Sequence, residues 1–160
     1  LGKPVWRLLP AVGEFRGLEH REDSPWYPTM RLFRQRTPGD WREVMARGER
    51  LVNQGDTARG IPSCAACHGQ TLTGVEPAIP GLIGLTPPYI ASQLGAWKAG
   101  TRHAMKPDCM HEVAAKLTPD DVGAVTAYLV AQPLPSDPRP AAAGSIAKLP
   151  LECGGINVKK

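Results

Sequence analysis

Large hydrophobic residues recur at helical spacing in two segments on either side of a long irregular stretch. In residues 40–54 they return every three or four positions after Asp40, which can cap a helix, and Gly55 is a suitable stop. Residues 87–99 repeat this spacing behind two prolines, a residue type that suits the first turn of a helix. Both segments are therefore predicted to be helices with one apolar face.

A third helix has the clearest start signal in the chain. Thr118 and Asp121 approximate a capping box, Pro119 occupies the first helical position, and an apolar stripe follows. A short helical turn is expected just before it, at residues 111–116. Because strand signals are weak throughout, the pattern predicts an all-α domain.

Three further segments show no helical period. Residues 1–39 are rich in proline and glycine but contain large apolar side chains, so we expect an extended arm that lies over the domain or grips a partner. The loop at 69–86 is long enough to wrap a large prosthetic group. Residues 133–160 are Pro-rich and are interpreted as an extended C-terminal strap. The predicted organisation is thus an arm at 1–39, a domain at 40–132 and the strap.

Composition narrows the class of protein. The chain has 160 residues, of which 42% are hydrophobic, enough for one modest core. Its net charge is +4 without a basic run interleaved with aromatics, which gives nucleic-acid binding little support. No run approaches the ~18 apolar residues of a membrane span. Since the sequence starts at Leu1 without an initiator Met, we expect a processed product whose export signal or anchor lay upstream.

One short motif carries specific chemistry. Cys64, Cys67 and His68 form a Cys-x-x-Cys-His sequence, the signature of covalent c-type haem attachment. Two thioether bonds would tether the porphyrin, and the adjacent imidazole would fall under the iron as its proximal ligand. A redox dithiol is disfavoured because no alternating strand–helix pattern surrounds the motif. A zinc site is the other alternative, and its further ligands on paper are Cys109, His103 and His111.

Residues spread over positions 48–132 extend the motif into a longer pattern. They are Gly48, Leu51, Gly55, Cys64–Gly69, Ile79–Gly84, Tyr89–Leu94, Gly100–Arg102, Met110, Val113–Ala114, Leu117–Thr118 and Ala127–Leu129. In order and spacing this pattern resembles the class I c-type cytochromes of bacteria. The resemblance implies an all-α cytochrome c-like fold around one covalent haem.

The resemblance also implies a second axial ligand, a Met thioether, in the loop before the last helix. Met110 stands seven residues before Leu117 and fits the family's spacing, whereas Met105 is five residues earlier. His103, His111 or an open position are the remaining alternatives. A thioether paired with an imidazole favours ferrous iron and leaves no easy site for substrate, which indicates electron transfer rather than catalysis.

Further haem contacts follow from the same resemblance. Pro80 matches the proline whose carbonyl accepts a hydrogen bond from the proximal imidazole, which would fix the ring. Tyr89, Trp97 and Arg102 are candidates to face the haem or its propionates. The alternatives are an ordinary turn proline, helix core for the two aromatic residues and a solvated arginine.

Cys109 and Cys153 remain outside the haem motif. A disulfide between them would close a loop of about 45 residues, contribute roughly 4 kcal/mol and pin the strap beside Met110. Two free thiols or a bond to a partner chain are the alternatives. An internal disulfide would also indicate an oxidising compartment such as the periplasm.

These features predict a periplasmic monohaem cytochrome with no catalytic residues of its own. It would act as a carrier or as the electron-accepting subunit of a periplasmic dehydrogenase, and would pass electrons to a downstream cytochrome or oxidase. Membrane association would come through a partner or a removed anchor. The alternative is a haem enzyme or gas sensor with an open sixth coordination position.

Overall fold

The computed structural model describes residues 40–156 in full and, before them, only the backbone of three strands. The chain divides into two compact units, Leu1–Glu43 and Val44–Lys160. The sequence-based division at residues 39 and 132 stays a prediction.

The N-terminal unit contains a three-stranded sheet. Strands β1 (Val5–Leu9) and β3 (Tyr27–Arg34) pair in parallel, and β2 (Asp23–Ser24) pairs antiparallel with β3. The expectation of irregular structure is therefore wrong at these strands, because pairing between distant segments leaves little trace in the local sequence. The rest of the predicted arm, and the packing expected of its large side chains, lie outside the described residues.

The second unit is built mainly from helices, which confirms the all-α fold class. Their bounds are α1 Arg42–Asn53, α2 Ala65–His68, α3 Pro87–Lys98, α4 Cys109–Lys116 and α5 Pro119–Ala131. The three long predicted helices are all present. Helix α4 begins two residues before its predicted start, because the side chain of Asp108 accepts a hydrogen bond from the backbone N–H of His111. Helix α2 is too short to produce a detectable period and was not predicted.

Helices α1 and α5 meet at a glycine. A Cβ at Gly48 would overlap the carbonyl oxygen of Ala124, so only a glycine allows this approach. The core next to this contact is formed by buried side chains of α1, α2, α3, α5 and the loop after α2, namely Leu51, Val52, Ala65, Leu72, Ile90, Val125 and Leu129. No helix in the described part of the chain is long and apolar enough to cross a membrane.

A buried carboxylate locks the start of α5. The backbone N–H of Thr118 donates to Asp121 at 2.8 Å and the Asp121 N–H donates back to the Thr118 hydroxyl at 3.2 Å, so the predicted capping box is present. Arg47 and Arg59 pair with the same carboxylate at 2.8 and 2.7 Å. Burial raises the pKa of Asp121, but the hydrogen bonds from Arg59 and Thr118 and the charge of Arg47 outweigh it and bring the pKa well below its usual value.

The predicted loop at 69–86 contains a small hairpin. Strands β4 (Gly74–Val75) and β5 (Ile79–Pro80) pair antiparallel, with Gly74 opposite Pro80. Gly74 has a φ of +93°, and its backbone packs tightly against residues 79–81. Two-residue strands are too short to alternate detectably, which is why the sequence indicated only a loop.

The C-terminal strap runs back over this unit and is fastened at two places. Ala141 donates its N–H to the carbonyl of Gly74 and accepts the N–H of Glu76, both at 2.9 Å, so it extends the hairpin by one bridge. Farther on, Cys153 forms a disulfide with Cys109, with the Cα atoms 5.3 Å apart. This confirms the predicted pairing.

Candidate haem site

Helix α2 presents the two motif cysteines together. His68 donates its backbone N–H to the Cys64 carbonyl at 2.8 Å, which makes one full helical turn, and residues three apart in such a turn share a face. Both Cys64 and Cys67 are free and half-buried. Burial raises the pKa of Cys64 to about 11 and raises that of Cys67 as well, so both are held as thiols.

The imidazole of His68 is buried and oriented. The residue is only 6% exposed, and its Nδ1 atom lies 2.7 Å from the carbonyl oxygen of Pro80. Because a carbonyl can only accept, Nδ1 carries the proton and the lone pair resides on Nε2. Burial lowers the pKa of His68 more than this hydrogen bond raises it, which favours the neutral ring. A neutral imidazole with Nδ1 held and Nε2 unprotonated is the form that binds a metal.

The backbone after α2 returns Pro80 to this position. Gly69 has a φ of +84° and Leu72 a φ of +57°, so the chain reverses sharply after His68. Leu82 then donates its N–H to the Leu72 carbonyl at 2.7 Å and closes the loop. The hairpin β4–β5 within this loop sets the register of Pro80.

The two candidate methionines lie in different surroundings. Met110 is half-buried in the first turn of α4, whereas Met105 is 70% exposed in the preceding loop. Asp108 fixes the turn between them by accepting the N–H of Ala104 at 2.7 Å and that of His111 at 3.0 Å. Desolvation raises the pKa of Asp108, but these hydrogen bonds outweigh it and the net shift is downward. Sequence reasoning missed Asp108, although an Asp directly before a helix is a recognisable cap.

His111 resembles His68 in having Nδ1 beside a backbone carbonyl, but its side chain is exposed rather than buried. Nδ1 of His111 lies 2.9 Å from the Trp97 carbonyl and ties α4 to α3, and His103 is exposed. Cys109 is consumed by its disulfide. Within residues 40–156 no group of three His, Cys, Asp or Glu side chains could hold a metal ion. Cys109 is therefore not available as a zinc ligand, and the described residues do not bring such a ligand set together.

An unsatisfied donor lies at the end of α3. Nε1 of Trp97 is buried and has no hydrogen-bond partner among the described residues. The guanidinium carbon of Arg102 lies 4.0 Å from the centroid of the same ring. A buried N–H without an acceptor is costly, so this position suits a group that brings one. The carboxylate of a haem propionate fits both the orphaned donor and the neighbouring positive charge.

Two pairs of predicted site residues are in contact in the structure, and Tyr89 is described by its exposure. His68 contacts Pro80, and Trp97 stacks with Arg102. Tyr89 is 47% exposed in the first turn of α3, which contradicts the alternative that it is helix core. The two free thiols directly before a neutral, oriented imidazole are a donor set that fits a covalently bound haem.

Comparisons with known proteins match the same part of the chain. The family model for cytochrome c matches residues 45–132. A thiosulfate dehydrogenase electron acceptor from Thiomonas intermedia is 44% identical over 89 residues, which is 56% of this chain and 41% of that protein. Cytochrome c-554(548) from Halomonas halodenitrificans is 33% identical over 81 residues, which is 49% of this chain and 98% of that protein.

Among solved structures, cytochrome c4 from Acidithiobacillus ferrooxidans superposes with a TM-score of 0.51 at 32% identity. The match covers 62% of this chain and 58% of that one. The chain thus spans about two fifths of the Thiomonas relative and nearly all of the shorter Halomonas cytochrome. It belongs to the cytochrome c family, as a class I c-type cytochrome that binds haem covalently and transfers electrons.

Proposed function

We propose that this chain holds one haem c through thioether bonds from Cys64 and Cys67 and carries single electrons between proteins of the periplasm. The observation that carries the proposal is the buried His68, whose Nδ1 is committed to the Pro80 carbonyl directly after two free thiols. The haem supplies an iron that gains and loses one electron. The protein holds it, orients its proximal ligand and keeps water away.

His68 is the proposed proximal ligand. Its hydrogen bond to Pro80 fixes the ring plane and increases the electron density available at Nε2. Because the acceptor is a backbone carbonyl in a hairpin, the ring is held by rigid structure rather than by a mobile side chain. The ligand therefore needs little rearrangement when the charge on the iron changes, which suits electron transfer.

Met110 is the proposed second ligand. Its half-buried position in an anchored helical turn supports it over Met105, which is largely exposed. A soft thioether stabilises ferrous iron relative to a second imidazole and raises the reduction potential. If His68 and Met110 both bound the iron, no site would remain there for a substrate, and the haem would only exchange electrons with partner proteins.

Trp97 and Arg102 are the proposed holders of a propionate. The indole N–H of Trp97 has no acceptor among residues 40–156 and Arg102 lies against the same ring, so a carboxylate placed there gains a charge-assisted hydrogen bond. Tyr89, on the exposed side of α3, is proposed to border the haem edge.

The proposed electron donor is a periplasmic dehydrogenase, and the proposed acceptor is a downstream cytochrome or oxidase. The similarity to a protein named as the electron acceptor of thiosulfate dehydrogenase supports this role. The N-terminal unit supports a docked subunit over a free shuttle, since it lies outside the region 45–132 that matches the cytochrome c family model.

Haem quantification in the protein matured with its thioether bonds tests the proposal. Pyridine haemochrome analysis should give one haem per chain, and Cys64→Ala together with Cys67→Ala should give a colourless chain. A colourless wild-type protein would contradict the cofactor assignment. Rapid binding of carbon monoxide to the reduced wild-type protein would instead favour the open-site enzyme or sensor, because Met110 should block that position.

A further inference from the structure

The end of the strap grips the loop that precedes Met110. Residues 152–155, here called the clamp, lie across residues 104–109, here called the Met loop. Gly154 donates its backbone N–H to the Pro107 carbonyl at 2.8 Å, and Cys153 is bonded to Cys109. A Cβ at Gly154 would overlap the Lys106 carbonyl oxygen, so the two backbones are in direct contact.

The Met loop has few other contacts to hold it. Most of its residues are exposed and lack regular secondary structure. Within the loop, the one described hydrogen bond that involves a side chain joins the N–H of Ala104 to the carboxylate of Asp108. Exposed segments with few buried contacts open at low free energy, so without the clamp this loop would open readily.

The strap that carries the clamp is also anchored at a second point. Ala141, earlier in the strap, is hydrogen-bonded to Gly74 and Glu76 in and beside β4. The same hairpin carries Pro80, which orients His68. The strap from Ala141 to the clamp therefore connects the hairpin that orients His68 with the Met loop that precedes Met110.

We propose that the clamp is a positioning element for Met110, which keeps the thioether sulfur in place by preventing the Met loop from opening. The inference rests on the proposed role of Met110 as the second axial ligand. Cys109 is the point of transmission, because it is bonded to the clamp on one side and joined to Met110 by a single peptide bond on the other. Cys153 and Gly154 touch no ligand and act through this connection.

Competition by imidazole tests the proposal on the oxidised holoprotein. Imidazole binds only when Met110 is detached, so its apparent dissociation constant is inversely proportional to the detached fraction and falls as that fraction rises. We expect the double variant Cys109→Ser/Cys153→Ser, and separately Gly154→Ala, to bind imidazole about tenfold more tightly than wild type if the detached fraction rises by that factor. Both cysteines are replaced because a lone Cys109 would place a competing sulfur beside Met110.

Two further variants set the limits of the measurement. Met110→Ala removes the competing ligand and gives the tightest imidazole binding available. Gly144→Ala adds the same methyl group within the strap at a glycine where an added Cβ would meet no described atom within 4 Å, and its φ of +82° brings local strain without contact to the Met loop. Imidazole binding by Gly144→Ala should equal that of wild type.

Amide hydrogen exchange separates positioning from general stability. In both clamp variants exchange should accelerate more in residues 104–110 than in α1 and α5, because loss of the disulfide also lowers the global stability. If the serine double variant does not mature, Gly154→Ala decides the question alone.

The outcomes separate failure of the clamp from failure of the ligand assignment. Wild-type imidazole affinity in both clamp variants, with tighter binding by Met110→Ala, would overturn the clamp and leave Met110 as the ligand. Equal imidazole binding by Met110→Ala and wild type would overturn the ligand itself. Equal acceleration of exchange throughout the domain would reduce the clamp to a general stabilising contact and overturn its positioning role.

Discussion

Replacing Asp121 by Asn tests whether the buried carboxylate at the start of α5 stabilises the fold through its charge. The Asp121 side chain is 0% exposed and lies 2.8 Å from Arg47 and 2.7 Å from Arg59. Asparagine keeps the size and one acceptor for Thr118 but leaves two guanidinium groups facing an uncharged amide. Removing one partner of a buried pair costs about 3–5 kcal/mol. Because both arginines are about a third exposed, we expect a loss of about 2–3 kcal/mol.

Urea unfolding of the holoprotein at pH 7, followed by circular dichroism, measures this loss. The folded protein lowers the pKa of Asp121 below its usual 3.8. Its contribution is therefore fully present above pH 3.8 and is lost as the pH falls further, toward and through the lowered pKa. The difference between variant and wild type should shrink over that acidic range. A loss under ~1 kcal/mol at pH 7, or a difference that does not change in acid, would refute the reasoning.

Four other substitutions have defined outcomes. Gly48→Ala should destabilise the protein by about 1–3 kcal/mol or prevent its maturation, because the added Cβ overlaps the Ala124 carbonyl oxygen, as thermal unfolding would reveal. Trp97→Phe should shift the reduction potential of the holoprotein, because it removes the indole N–H that is proposed to donate to a haem propionate; unchanged potentiometry would contradict the propionate contact. Met105→Leu should leave the long-wavelength ferric band of thioether ligation intact and Met110→Ala should abolish it, whereas the reverse result would exchange the two methionines.

The sequence predicted those structural features that are determined by residues close together in the chain. The helix over 119–131 was predictable because Thr118, Pro119 and Asp121 determine its start within four residues. The pairing of Cys109 with Cys153 was predictable in the weaker sense that two cysteines remained outside the motif. The Pro80 contact with His68 came from family resemblance, since nothing local to either residue indicates it.

Features that depend on distant contacts were missed. The hairpin β4–β5 has two residues per strand, and β1 pairs with β3 across a long gap, so neither shows a period. The grip of Gly154 on the Met loop was invisible because a glycine in a Pro-rich tail usually indicates only a turn. The orphaned N–H of Trp97 could not be anticipated either, because it depends on which acceptors the fold leaves out of reach.

The acceptor for His68 is a main-chain oxygen, so no exchange of one side chain can delete it. Substitutions at Pro80 alter the backbone around that oxygen but retain the atom. A single-residue insertion or deletion between Val75 and Ile79 is different, because it shifts which carbonyl stands opposite Gly74 and therefore faces the imidazole. The hairpin β4–β5 should therefore tolerate amino-acid substitutions but not insertions or deletions.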